Sequence, residues 1–413
     1  MAVLGVVAEF NPFHNGHLKL IEKVQSQHNF AAVICVMSGS FTQRGEPAIC
    51  NKWSRAQMAL LSGVDLIIEL PFCFASRSAY NFAKGAIQLL EHTGVVTHLA
   101  FASESNNITT LNKVATLLNN EPDQYKSILK NLLDKGLSYP VARSESLQKY
   151  LDNPSIEVFL KGSNNILAIE YLRVLAELNS SILPITIKRK GADYHNKELS
   201  KYASASAIRN ALYKKQPLSE ISYALPLSSS QILKKEIETG RTPISLDNFE
   251  NAILSKLRTM DKEEVEKLHD VTEGLESRII DKSIVSTNLE ELKLAIKSRR
   301  YSLTRINRIL LYSLFNLTKD QTEQLDSFGP MYHHVLGFNK RGIKILEKIN
   351  RNSKIPVLNR GKDVKAIYNQ QGTPAKQMIK LDVMSTNLYN LFYPNYKQRI
   401  GGADFTTSPI RDL

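Results

Sequence analysis

Short apolar runs alternate with amphipathic runs along roughly the first two hundred residues of this 413-residue chain. Runs rich in Val, Ile and Leu at 3–8, 31–37 and 66–70 are typical of buried strands, and the stretches between them have helical periodicity. Strands and helices in strict alternation favour parallel pairing with right-handed crossovers. The pattern therefore predicts an α/β fold built on a doubly wound parallel sheet.

The pattern changes near Leu225, where helical periodicity continues without the intervening strands. We predict two domains, residues 1–225 and 226–413, with a helical insertion at about 108–160 in the first. The second domain is expected to be mainly helical. It carries a small α/β tail, because residues 354–358 resemble a strand.

The net charge of +13 is concentrated after residue 120. Residues 1–120 hold 8 Lys or Arg against 7 Asp or Glu, whereas the remaining residues hold 45 against 33. A neutral first part and a basic second part indicate a small-ligand site in one and a polyanion-binding surface in the other. For any single basic cluster, a solvated lysine-rich surface is the alternative.

Composition and hydropathy favour a cytoplasmic protein. The sequence has no uninterrupted apolar run of about 18 residues, so it predicts no membrane span. It also lacks the basic flank and apolar core of a signal peptide. The three cysteines have no C-x-x-C spacing, which favours a reduced compartment. No feature indicates an obligate protein partner.

Residues 8–17 connect the first predicted strand to the first predicted helix and carry His14, Gly16 and His17. The start of a helix has unpaired N–H groups and a partial positive charge, so it favours an anion. Glycine lets a ligand approach the backbone, and the imidazoles add hydrogen-bond donors. The stretch predicts a phosphate site. Taken alone, two histidines at this spacing also fit a metal pair or polar capping residues.

Several common nucleotide and metal motifs are missing. The sequence has no G-x-x-x-x-G-K-[ST] loop, no G-x-G-x-x-G after the first strand and no H-E-x-x-H. It also has no cysteine cluster suited to structural zinc, and we predict no metal site made by the protein. A bound nucleotide would therefore depend on the histidine loop.

Two motifs carry a resemblance to a known superfamily. Residues 14–17, His-Asn-Gly-His, resemble the H-x-G-H signature of the nucleotidyltransferases, which include adenylyltransferases and class I aminoacyl-tRNA synthetases. Residues 204–209, Ser-Ala-Ser-Ala-Ile-Arg, are similar to the second phosphate motif of that superfamily. The resemblance implies a nucleotidyltransferase-type, Rossmann-like catalytic domain that binds ATP.

Four longer stretches, at 7–17, 37–48, 52–56 and 164–167, resemble the bacterial tRNA(Met) cytidine acetate ligase family. This resemblance implies a ligase that activates acetate with ATP as acetyl-adenylate, releasing pyrophosphate. The acetyl group then passes to the exocyclic amine of the wobble cytidine in elongator tRNA(Met). Ala102 departs from the Phe-Gly-Ser-Glu of the family, and its added methyl is expected to weaken ATP binding modestly.

Positions that match the family motifs supply the candidate site residues. Catalysis is assigned to His14, His17 and Arg209, with His17 on the α-phosphate side and Mg²⁺ accompanying ATP. The candidate ATP-binding residues are Val7, Ala8, Glu9, Phe10, Asn11, Pro12, Phe13, His14, Asn15, Gly16, His17, Leu18, Lys19, Leu20, Ala102, Asn164, Asn165, Arg189, Lys190 and Ser206.

A basic stretch in the second domain is the candidate tRNA-binding surface. Its cations recur at helical spacing around Tyr301, which suits phosphate contacts with base stacking. The predicted RNA-binding residues are Lys297, Arg299, Arg300, Arg305 and Arg308. Two alternatives remain, a small-molecule adenylyltransferase of the same superfamily and a non-catalytic RNA-binding protein. The intact histidine pair argues against the second of these.

Overall fold

The computed structural model describes residues 2–413 apart from 154–155, 157–158, 161, 190–198 and 273. The strands are β1 (Val3–Ala8), β2 (Ala32–Ser38), β3 (Leu66–Leu70), β4 (His98–Ser103), β5 (Leu183–Lys188), β6 (His333–Asn339), β7 (Val357–Leu358) and β8 (Ile410–Asp412). The helices before residue 226 are α1 (Asn15–Gln27), α2 (Lys52–Leu60), α3 (Phe72–Ala75), α4 (Ala79–His92), α5 (Ile108–Asn120), α6 (Asp123–Asp134), α7 (Tyr139–Leu151), α8 (Ser163–Glu177) and α9 (Ala205–Tyr213). The later helices are α10 (Leu227–Glu238), α11 (Glu250–Thr259), α12 (Lys262–Lys267), α13 (Leu275–Val285), α14 (Leu289–Ile296), α15 (Leu303–Phe315), α16 (Lys319–Phe328), α17 (Lys340–Asn352), α18 (Gly361–Tyr368), α19 (Pro374–Leu391) and α20 (Ala403–Thr406).

The strands form one sheet in the order β5-β4-β1-β2-β3-β6-β7, with β8 beside β6. β1 pairs in parallel with β2 and β4, and β2–β3 and β4–β5 are also parallel. The predicted α/β fold with its mostly parallel sheet is confirmed. Because β2 and β4 lie on opposite sides of β1, the crossovers diverge at the carboxyl end of β1. Ligands bind at such a switch point in open α/β sheets.

Side chains of the sheet alternate between two hydrophobic cores. In β2, Ile34 and Val36 enter one core, whereas Val33, Cys35 and Met37 enter the other. This alternation follows from the two-residue period of a strand. Burial on both faces explains the continuous apolar run in the sequence, since a parallel sheet is covered by helices on each side.

The part of the chain after residue 225 contributes both helices and strands. Its helices surround a third core, which also receives Phe41 and Phe72 from segments that follow β2 and β3. β6 pairs antiparallel with β3, so residues of the predicted second domain complete the central sheet. The division at residue 225 stays a prediction. None of the helices in the described ranges is long and apolar enough to cross a membrane.

A buried ionic cluster connects the added strands to the first half of the chain. The Lys52 ammonium contacts Glu69 at 2.8 Å and Asp404 at 2.6 Å. His334 Nδ1 lies 2.7 Å from Oε2 of Glu69, one of the two carboxylate oxygens that Lys52 contacts. Since an unpaired buried charge is costly, these contacts hold β3, β6 and α20 in one arrangement.

Candidate active site

The two histidines of the first motif cap the start of α1. His14 is the N-cap residue, and its Nδ1 accepts a hydrogen bond from the Gly16 backbone N–H at 3.0 Å. His17 Nδ1 accepts from the backbone N–H of His14 at 3.2 Å, and the two rings stack with centroids 3.8 Å apart. A neutral imidazole that accepts at Nδ1 carries its proton on Nε2. Both rings therefore keep an Nε2–H donor for a ligand.

The surroundings of the two rings keep them uncharged. Burial disfavours the charged imidazolium and, with Arg189 nearby, lowers the pKa of His17 to about 3. Burial, followed by the neighbouring His17 and the cations Arg189 and Arg209, holds the pKa of His14 well below its ordinary value. At neutral pH the pair can donate hydrogen bonds to an anion, while the two arginines supply the positive charge.

Gly16 has a local structural role that the sequence did not indicate. A Cβ atom at this position would lie 2.8 Å from Cε1 and 3.0 Å from Nδ1 of the His14 ring. The ring fits against the helix start only because the glycine has no side chain. Position 16 therefore requires glycine because a side chain would collide with the His14 ring. The sequence alone suggested a different reason, namely close approach of a ligand to the backbone.

The second motif brings a cation to the histidine loop. Ser204 caps α9 by accepting a hydrogen bond from the Ala207 N–H at 3.1 Å. One turn later, Arg209 donates to the carbonyl oxygen of Asn11 at 2.9 Å and approaches Ser206 Oγ at 3.5 Å. Two segments nearly two hundred residues apart in sequence thus meet in one site. The pairing of the two motifs predicted this meeting.

Glu104, the residue that follows β4, organises the start of α8. Its carboxylate accepts hydrogen bonds from the backbone N–H of Asn164 at 3.1 Å and of Asn165 at 2.7 Å. Arg189 Nη1 lies 3.6 Å from the same carboxylate. Sequence reasoning missed Glu104 as a positioning residue, although it is the acid of the Phe-Ala-Ser-Glu stretch. Lys190, which follows Arg189 and was also predicted to bind ATP, lies outside the described residues.

These residues surround a cavity of about 380 Å³ at the carboxyl end of the parallel strands. Predicted residues that line it are Val7, Ala8, Glu9, Phe10, Asn11, His14, His17, Leu20, Ala102, Asn164, Arg189, Ser206 and Arg209. A second cavity of about 220 Å³ shares both histidines with it and is also lined by Gly16, Lys19, Lys23 and Lys188. The two histidines therefore line both cavities, and several lysines line the second.

Other predicted residues of the loop serve the fold around the cavities. Phe13 is fully buried in a hydrophobic core, and Leu18 packs against that core. Asn15 Nδ2 donates to the carbonyl oxygens of Lys201 at 3.0 Å and Tyr223 at 2.9 Å. Asn165 is buried and donates to Phe159 O at 2.8 Å. These four residues and Pro12 do not line either cavity.

The cavity also has a side that is not formed by the predicted ATP-binding residues. The loop after β2 lines it with Thr42, Gln43, Arg44 and Glu46, and the first turn of α15 adds Thr304. Thr304 lies far along the chain from the histidine loop, and no local signal in the sequence indicates that it would reach this site. We call this lining, formed by Thr42, Gln43, Arg44, Glu46 and Thr304, the β2 side of the cavity.

The basic stretch divides into exposed and internally bonded residues. Lys297, Arg299 and Arg300 are exposed to solvent. By contrast, Arg305 donates to the carbonyl oxygen of Asp270 at 2.6 Å, and Arg308 pairs with the Asp270 carboxylate at 3.3 Å. The latter two cations thus hold α15 to the segment around residue 270. Tyr301, expected to stack on a base, is buried and donates to Thr272 O at 3.0 Å.

The fold and the site together define a class of protein. A parallel sheet presents a histidine pair at the first strand–helix turn, facing an arginine from a serine-capped helix, and this arrangement is that of a nucleotidyltransferase. A family model described as HIGH Nucleotidyl Transferase matches residues 1–404. The chain is 51% identical over 413 residues to the tRNA(Met) cytidine acetate ligase of Syntrophomonas wolfei, covering 99% of each chain. It is 41% identical to the tRNA(Met) cytidine acetate ligase of Halothermothrix orenii, covering 100% of both.

Solved structures agree with these relatives. The crystal structure of Thermotoga maritima TmcAL without ligand has a TM-score of 0.95 and 38% sequence identity, covering 100% of this chain and 99% of the other. The same enzyme bound with α-thio ATP has a TM-score of 0.93 with equal identity and coverage. This chain belongs to the tRNA(Met) cytidine acetate ligase family of the HIGH nucleotidyltransferases. The family expected from the sequence motifs is thereby confirmed.

Proposed function

We propose that this chain activates acetate with ATP and transfers the acetyl group to the exocyclic amine of the wobble cytidine in elongator tRNA(Met). The observation that carries the proposal is the stacked histidine pair, which faces Arg209 in a cavity large enough for a nucleotide. The two relatives that are 51% and 41% identical to this chain are named tRNA(Met) cytidine acetate ligase, which supports this proposal. Because the substrate is a tRNA, we place the protein in the cytoplasm.

The first half-reaction is the formation of acetyl-adenylate. An acetate oxygen attacks the α-phosphorus of ATP, the bond to the bridging oxygen breaks, and pyrophosphate leaves with the electron pair. His17 and His14 donate Nε2–H hydrogen bonds to the phosphate oxygens on which negative charge develops. Such donors stabilise the transition state without needing a proton transfer. The reaction therefore depends mainly on positioning and electrostatics.

Arginines complete the triphosphate site. In this proposal the departing pyrophosphate is bound by Arg209, which donates a hydrogen bond to the Asn11 carbonyl, and by Arg189, which lies near Glu104. Lys190, from the same predicted motif, is assigned to this role by the family resemblance alone. Asn164 and Ala102 line the cavity on the β4 side of β1, where we place the nucleoside.

Mg²⁺ would bind to the site together with ATP, through the phosphate oxygens of the nucleotide. In the described part of the chain, one cluster of side chains has metal-ligating geometry, formed by Glu69, His334 and Asp404. The Lys52 ammonium already binds both of its carboxylates, so this cluster does not fit a metal ion. We therefore propose no protein ligand for Mg²⁺. Its chemistry would be to offset the charge of the leaving pyrophosphate.

Binding of tRNA is assigned to the part of the basic stretch that precedes α15. Lys297, Arg299 and Arg300 are exposed and contribute the phosphate contacts in this proposal. Arg305 and Arg308 bond to Asp270 and so hold α15 next to the exposed cations. α15 begins at Leu303, three residues after Arg300, and its first turn reaches the cavity at Thr304. A tRNA on this surface would thus stand beside the acetyl-adenylate.

Acetate-dependent exchange of labelled pyrophosphate into ATP tests the proposal. We expect exchange with acetate in the absence of RNA, because the adenylate forms before the tRNA reacts. Purified tRNA(Met) added afterwards should acquire one acetylcytidine per molecule, detected by mass spectrometry of its nucleosides. Exchange that occurs with no carboxylic acid present, or no exchange at all, would contradict the proposal.

A further inference from the structure

The β2 side of the cavity has no role in ATP binding as described above. Adenylation occupies the histidines, Arg209 and the β4 side, which together account for the nucleotide. The loop 42–46 lies across β1 from that nucleoside position and shares the same cavity. Acetyl transfer requires the cytidine to reach the acetyl-adenylate through a part of the cavity that the nucleotide does not occupy. The β2 side is such a part.

The loop that forms this side is rigidly held. Thr42 N–H donates to the carbonyl oxygen of Glu46 at 2.9 Å, and Gly45 N–H donates back to Thr42 O at 3.0 Å. Gln43 N–H donates to the Glu9 carboxylate at 2.8 Å. Gly45 adopts φ +74, and a Cβ there would lie 2.5 Å from the backbone nitrogen of Arg308. The loop tip is thus fixed against α15 and the end of β1.

Two carboxylates lie in the cavity lining, and their contacts differ. Glu9 accepts the Gln43 N–H with one oxygen, so it positions the loop. Glu46 is half-buried, and its Oε1 has a contact with Asn307 Nδ2 of α15 at 3.5 Å. Glu46 therefore lies in the loop, lines the cavity and contacts α15.

We propose that the β2 side of the cavity is the cytosine subsite and that the Glu46 carboxylate accepts the exocyclic amine of the base. A carboxylate is a suitable acceptor for the N4 amine of cytosine, whereas uracil presents a carbonyl oxygen there and would be repelled. This inference rests on the proposed function and deepens it. It names the group that recognises the acceptor base.

The same carboxylate completes the transfer step. The N4 nitrogen bonds to the acetyl carbon, the bond between that carbon and the adenylate oxygen breaks, and AMP leaves with the electron pair. The amine proton passes to the Glu46 carboxylate and from there to water. General-base assistance of this kind contributes about 10²-fold to 10⁴-fold to a rate.

Glu46→Gln tests the inference, because it keeps the shape of the side chain and removes its charge. The measurements are pyrophosphate exchange, tRNA affinity, single-turnover acetyl transfer and inhibition by a tRNA with uridine at the wobble position. We expect transfer to fall about 100-fold or more. Exchange should be retained within about threefold, while the uridine-bearing tRNA should become a stronger inhibitor as discrimination between the bases weakens.

Two control variants make the outcomes distinguishable. Glu220→Gln, at an exposed glutamate outside the cavity lining, should leave all four measurements unchanged. Unchanged transfer in Glu46→Gln, or an equal loss of exchange and transfer, would overturn the inference. Loss of transfer in Glu9→Gln with normal transfer in Glu46→Gln would also overturn it. If the wild-type protein shows no acetate-dependent exchange, the proposed function itself fails.

Discussion

Replacing Gly16 by alanine should lower the rate of catalysis strongly while changing the stability of the fold little. The added Cβ would lie 2.8 Å from Cε1 of His14, closer than carbon atoms approach without repulsion, so the ring must leave its place. The ring borders the cavity and has space to swing into it. The movement breaks the hydrogen bond from Gly16 N–H to His14 Nδ1 and misdirects the Nε2–H donor. Phosphate stabilisation is then lost while the fold persists.

The expected magnitudes differ for the two properties. Loss of one preorganised donor to developing charge costs about 10²-fold to 10³-fold in turnover. For stability, one broken hydrogen bond costs about 0.5–1.5 kcal/mol. The lower chain entropy of alanine in the unfolded state regains about 0.4–1 kcal/mol. We therefore expect acetate-dependent exchange to fall at least about 100-fold while the free energy of unfolding changes by about 1 kcal/mol or less.

Pyrophosphate exchange and urea denaturation measure the two properties on the same samples. Gly401→Ala is the matched control, since a Cβ there would meet Asn387 Oδ1 at an ordinary distance of 3.4 Å. It should change neither property. Normal exchange in Gly16→Ala would refute the reasoning, because it would show that the His14 ring position does not matter. A loss of stability large enough to unfold the protein would refute it as well.

Three other perturbations test separate parts of the structure. Replacing Arg299 and Arg300 together by alanine should weaken tRNA binding and flatten its salt dependence by about one to two units in slope, measured by filter binding, with exchange unchanged; an unaltered slope would contradict the assigned surface. The pKa of His17 is lowered to about 3 in the folded protein, so its stabilising contribution is present above about pH 6.5 and is lost as the pH falls toward 3. His17→Gln should therefore show a shallower loss of thermal stability on acidification than the wild type, and an equal slope would count against this assignment. Lys52→Met should destabilise the fold by about 3–5 kcal/mol in urea denaturation, because it leaves two buried carboxylates without their cation; a change below about 1 kcal/mol would contradict the role of the cluster.

Local patterns predicted the parts of the site that local physics determines. The strand that ends at residue 8, a helix following the histidine loop and the serine cap at Ser204 each follow from hydrophobic period and capping chemistry. The proximity of Arg209 to the histidine loop came from the resemblance of two motifs. Neither the periodicity nor the charge of either segment specifies that contact.

Contacts between distant segments were beyond such reasoning. β6 begins with His333 and His334 and contains Gly337, so its sequence lacks the apolar run that marks β2 or β3. Its place in the sheet depends on pairing with β3 and on the Glu69 cluster. Thr304 reaches the cavity for a similar reason, because the packing of α15 on the loop 42–46 is a tertiary contact.

Charge alone also could not separate binding residues from structural ones. Arg299 and Arg305 belong to the same basic stretch and look equivalent in sequence. The structure exposes Arg299 but bonds Arg305 to the carbonyl oxygen of Asp270. Arg305 also donates to Thr272 Oγ1 at 2.9 Å, so its side chain is held in place by a segment about 35 residues earlier in the chain. Only the fold reveals that partner.

A crystal structure of this protein with a non-hydrolysable ATP analogue tests the central claim most directly. The account predicts the α-phosphate within hydrogen-bond distance of His17 Nε2, the outer phosphates near Arg209 and Arg189, and the nucleoside beside Ala102 and Asn164. Density for the triphosphate on the β2 side of the cavity, or imidazole rings turned away from the phosphates, would contradict it.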